Sequence, residues 1–82
     1  MEPEIDLVAD LNSEDDDGLG WSSLSDARDA AQVRPGVMLV AGNRFGKAVV
    51  RVMAVDEDGQ VHFTVLSGTL EKNRQLVGRA LA

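Results

Sequence analysis

The sequence predicts an α+β domain, mainly β, organised as a small antiparallel meander. Three observations carry this. Two β-patterned runs meet across Asp56-Glu57-Asp58-Gly59, a third apolar run at Val37–Ala41 lies between Pro35-Gly36 and Gly42-Asn43, and the acids crowd into the first residues. With Val55 opposite Gln60, Ala54, Val52 and Val50 fall opposite Val61, Phe63 and Val65, so one hairpin face is wholly apolar. A slip by one residue would scatter those six side chains over both faces.

The elements follow in chain order. Residues 1–17 hold eight acids and no base, residues 18–34 balance, and residues 35–82 carry six bases against four acids. The net charge of −6 is therefore a property of the N-terminal segment, and the remainder is mildly basic. Residues 1–20 are expected to form a disordered acidic tail ending at Gly18-Leu19-Gly20, with 21–82 as the folded, β-rich domain. Inside the tail, Ile5, Leu7, Val8 and Leu11 have the spacing of a short amphipathic helix formed on a partner.

Trp21 and Leu24 are expected to pack onto the β core. Ser25 suits an N-cap, Asp26 and Asp29 suit a first helical turn, and Pro35 ends this short N-terminal helix. Gly42 to Lys47 reads as a loop between the first and second strands. After the hairpin, Ser67-Gly68-Thr69 breaks the pattern, and Thr69 caps a C-terminal helix from Leu70 to about Leu81. The layout resembles a small SH3-like, partly open barrel. That resemblance is of architecture alone and carries no function with it.

Composition narrows the chemistry. In 82 residues there is no cysteine and one histidine, so neither a disulfide nor a zinc site is expected. Gly42-Asn43-Arg44-Phe45-Gly46-Lys47 departs from a phosphate-binding loop: three residues separate its glycines and Ala48 follows the lysine. Neither Asp-rich stretch has the terminal bidentate glutamate of a calcium loop. His62 has no acidic partner in the expected register and serves as a surface-facing structural residue. No catalytic, cofactor-binding or metal-binding residues are assigned, and no enzyme activity is expected. No apolar run approaches the roughly 20 residues needed to span a bilayer. A cytoplasmic protein with no membrane association is the default expectation.

The function expected is that of a non-enzymatic protein-interaction module with a flexible acidic tail. Its protein partner is not specified by the sequence, and homo-oligomerisation would supplement so small a core. The second hairpin face carries the interaction candidates: Val49, Met53, Val55 and Leu66 are apolar there, mixed with Arg51, His62 and Thr64. The weaker alternative is a nucleic-acid-binding barrel inhibited by its own tail. Arg44, Lys47 and Arg51 would neutralise phosphates while Phe45 stacks on a base. A third reading, an inhibitor whose acids imitate phosphates, rests on tail charge alone.

Overall fold

A computed structural model describes residues 5–12 and 18–78. Its mainly β body is one five-stranded sheet curled into a half-barrel. The strands are β1 (Leu7–Val8), β2 (Gly20–Ser23), β3 (Met38–Asn43), β4 (Gly46–Val55) and β5 (Gln60–Val65), ordered β1-β3-β4-β5-β2 across the sheet. Only the β1–β3 pair is parallel. A short α-helix, α1 (Leu70–Asn73), follows β5. Among the described residues, no helix is long and apolar enough to cross a membrane.

The β4–β5 hairpin keeps the expected pairs Val50–Val65, Arg51–Thr64 and Val52–Phe63. Nearer the turn the register differs by one: Ala54 lies opposite His62 and Val55 opposite Val61. Two local features explain this and cancel. The Asp56 N–H donates to Gln60 O and the Gly59 N–H to Asp56 O, with Gly59 at φ 80, so the loop is one residue shorter than expected. A bulge at Met53 then restores the register beyond it. The consequence is that Val55, not Ala54, packs against the core cluster. Two additional methyl groups buried at about 0.8 kcal/mol each favour that choice by up to about 1.6 kcal/mol.

The core inside the curl is Leu7, Ala9, Val33, Val37, Leu39, Ala41, Val50, Val52, Val61 and Phe63. Two of these belong to the segment expected to be disordered. Leu7 is fully buried and pairs with Ala41, while the Asp6 and Ala9 N–H groups donate to Val40 O and Gly42 O. Part of the segment expected to be a tail thus contributes a short strand and two core residues. Leu7 and Ala9 alternate inward with strand period, and Leu11 packs half-buried at the margin of the core. Ile5 is half-buried and Val8 exposed. Asp6 fixes the segment: one carboxylate oxygen accepts from the Val40 N–H at 3.1 Å, the other from Arg28 at 2.8 Å. Residues 1–4 and 13–17 of the expected tail lie outside the described residues.

The expected N-terminal helix is replaced by two 3₁₀ turns, Leu24–Asp26 and Ala30–Gln32. Ser23 caps the first and Asp29 the second, rather than Ser25 capping one helix. Tertiary pairing breaks the helix in its middle: Ala27 bridges Leu7, and the Arg28 N–H donates to Asp6 O. Thr69 caps α1 as expected, its Oγ1 accepting from the Lys72 N–H at 3.1 Å. The α-helix ends at Asn73, however, and continues as a 3₁₀ turn, Arg74–Leu76. Gly78 at φ 84 turns the chain so that its N–H meets Met38 O. The expected end of that helix, beyond residue 78, lies outside the described residues.

Candidate functional site

Strand parity decides which side chains reach the convex, outer side of the sheet. On β2, Gly20 and Ser22 point inward. A Cβ on Gly20 would overlap the Phe63 ring, and Ser22 is buried with its hydroxyl donating to Val8 O at 2.6 Å. Trp21 must then point outward, and it is 45% exposed. The expectation that Trp21 packs on the core is corrected, while Leu24 does pack against it. Trp21 lies opposite His62 on β5, and His62 opposite Ala54 on β4. One row further along, Arg51 lies opposite Thr64, with an Arg51 guanidinium N–H 3.5 Å from Met53 Sδ. The bulge leaves Met53 exposed on this side and removes Val55 from it.

The structure therefore brings Arg51, Met53, His62 and Thr64 together and adds Trp21. It divides the other expected members. Val49 is buried on the same side of the sheet with Met38 and Val40, where the C-terminal segment lies: α1 packs on β4 and Gly78 bonds to Met38. Arg44 and Phe45 form the two-residue tip of the β3–β4 hairpin, since Asn43 pairs with Gly46 and Asn43 Oδ1 accepts the Phe45 N–H. Phe45 is 83% exposed, with the Arg44 guanidinium 4.9 Å from its ring centroid. Lys47 shares a face with Arg51, but they lie four positions apart along β4, about 13 Å. The set expected to read nucleic acid is thus two groups, a hairpin tip and one cation within the Trp21 face.

His62 has an acidic neighbour after all, because the bulge and short turn bring Asp56 Oδ2 to 3.4 Å from Nε2. Asp56 Oδ1 meanwhile accepts the Gln60 N–H at 2.9 Å and the Asp58 N–H at 3.0 Å. The Gln60 bond first, then His62 and the Asp58 bond, hold the Asp56 carboxyl below its ordinary value. The arrangement braces a turn.

On its other flank Trp21 walls a groove of ≈ 300 Å³, lined also by Val8, Asp10, Ser23, Asp26 and Asn43. A concavity of ≈ 380 Å³ beside Asp6 and Arg28 is built from groups already spent on the fold, since Asp6 binds Val40 and Arg28. Among the described residues, no group of three or more His, Cys, Asp or Glu is placed to hold a metal ion.

Trp21 was the residue sequence reasoning missed as a site member. The available signal was Gly20-Trp21-Ser22 itself, in which two small residues flank one large one at strand spacing. Compared with known proteins, the chain matches no family model, no curated protein and no solved structure.

Proposed function

We propose that this protein is a non-enzymatic protein-interaction module and that its docking face is the outer side of β2, β5 and β4. The observation that supports this most is the half-exposed Trp21, set beside His62 with Arg51, Thr64 and exposed Met53 around it. Tryptophan, arginine and methionine are enriched at interface centres, and an aromatic fixed on a strand loses little entropy on binding. The partner suited to the β4 and β5 part of this face presents an apolar side chain beside a carboxylate, because Arg51 supplies the cation there.

Self-association is the weaker form of the proposal, because Val49 is already buried from within the chain. The experiment is a comparison of binding partners from the native host, using the full chain against Trp21→Ala, Met53→Glu and the hairpin-tip variant Phe45→Ala. A partner lost with the first two and retained with the third is the expected result. A partner indifferent to Trp21 and Met53, or lost only with Phe45, overturns the proposal and favours the hairpin tip. Sedimentation of the protein at high micromolar concentration decides the oligomer: a monomer removes self-association.

A further inference from the structure

We infer that Met53 is a site of reversible two-electron oxidation by hydroperoxides, and that Arg51 directs the product to one sulfoxide epimer and holds it. Its consequence for docking rests on the interaction reading and deepens it by naming a modification that regulates the same face.

Among the described residues the methionines are Met38 and Met53, and the fold treats them oppositely. Met38 is fully buried, whereas Met53 stands 41% exposed on the outer side of β4. The ladder passes from Val52–Phe63 to Ala54–His62, so the bulge leaves Met53 with no residue opposite it on β5. Arg51 Nη2 donates to Met53 Sδ at 3.5 Å. A thioether sulfur has two lone pairs, and oxygen placed on one or the other gives opposite epimers. The Arg51 bond engages one of them and leaves the second to attack a peroxide oxygen. The S–O bond forms as the O–O bond breaks, and sulfur gives up two electrons. The proton of the transferred hydroxyl passes to the departing hydroxide, which leaves as water. The sulfoxide oxygen is a stronger acceptor than the thioether, and the guanidinium carries five N–H donors with which to hold it. One added oxygen therefore changes two members of the face: Met53 becomes polar, and Arg51 is engaged within the chain instead of meeting a partner's carboxylate.

The probe is hydrogen peroxide in small excess, added to the full-length folded protein. Peptide masses report oxygen on Met38 and Met53 separately, and the two stereospecific sulfoxide reductases count the epimers. Oxygen is expected on Met53 while Met38 remains a thioether, with one epimer exceeding the other about threefold or more, the effect of one modest hydrogen bond. Arg51→Ala should still oxidise at Met53 but give the epimers in near-equal amounts. Equal reaction at Met38 and Met53, equal epimers in the wild type, or an excess undiminished by Arg51→Ala overturns the inference. A partner that depends on Trp21 and Met53 should leave the oxidised protein and return after reduction, and one that stays on the oxidised protein overturns the regulatory consequence. If the oxidation results fail while that dependence on Trp21 and Met53 holds, the modification site fails alone. If Met53 is oxidised as expected and no partner depends on Trp21 and Met53, the interaction reading fails alone.

Discussion

Leu7→Ala tests whether the acidic N-terminal segment belongs to the fold. Leu7 is fully buried, pairs with Ala41 on one side and bridges Ala27 on the other. Removing a fully buried leucine side chain to the β-carbon costs about 2–5 kcal/mol, through lost transfer energy and the cavity left behind. A domain of this size has roughly 0.05–0.15 kcal/mol per residue of net stability, on the order of 4–12 kcal/mol in all. One methyl-rich side chain therefore represents a large share of the total. Urea unfolding followed by Trp21 emission reads the change. With a slope of about 1 kcal/mol per molar urea, the midpoint should fall by about 2 M or more. Val8→Ala is the matched control: Val8 is the next residue, in the same short strand but 51% exposed, and should stay within about 0.5 kcal/mol. Equal midpoints for Leu7→Ala and wild type would refute the packing of β1 and return the segment to the status of a tail.

Three further outcomes are expected. Gly20→Ala should destabilise by about 1–3 kcal/mol, because the added methyl overlaps the Phe63 ring, and Gly20→Ala with Phe63→Leu should recover part of the loss in thermal unfolding. Asp6→Ala should cost about 1–3 kcal/mol by leaving the Val40 N–H without its acceptor, whereas Arg28→Ala should cost about 1 kcal/mol or less, since the Arg28 side chain is 57% exposed. Asp56 makes the turn acid-sensitive: its folded carboxyl titrates below the ordinary value, so its contribution is present above about pH 4 and is lost as pH falls through the folded value. Urea midpoints measured down that range should fall less in Asp56→Asn than in wild type, and parallel curves would refute the brace.

The parts of the fold legible in the sequence are those whose pairing is local. The β4–β5 hairpin has its turn and both apolar strands within twenty residues, and its central pairs lie as the alternation requires. The bulge at Met53 escaped because its reason is volumetric: Val55 fills the core better than Ala54, a comparison that needs the cavity to exist first. β1 escaped because a two-residue strand has almost no period to read, and acids on either side of it dominate the composition. Asp6 in particular looks like a solvated charge until Val40 and Arg28 come to it from over twenty residues away. The N-terminal helix failed for the same reason, since Ala27 and Arg28 leave helical geometry to pair with the strand that was not foreseen. Trp21 followed its strand parity rather than the general tendency of large aromatics to be buried, and Gly20 was the local reason.

These corrections change how the acidic segment should be probed. Deleting residues 1–20 would not uncover an otherwise intact domain. It would remove Leu7 and Ala9 from the core, free the Val40 N–H from Asp6, and take away Gly20, which accommodates Phe63. Any binding or loss of binding by the truncated chain would then report unfolding as readily as the removal of charge. Charge can be separated from structure only by keeping the backbone: Asp15→Asn with Asp16→Asn lowers the acidity by two charges at constant chain length, whereas Leu7→Ala removes packing without altering charge. If the segment acts by shielding the basic remainder, the first pair changes salt-dependent binding and leaves the urea midpoint in place. If its contribution is to close the half-barrel, only the second change matters. Leu7, paired with Ala41 and bridged to Ala27, places the second change at the edge of the sheet, where packing and not charge is altered.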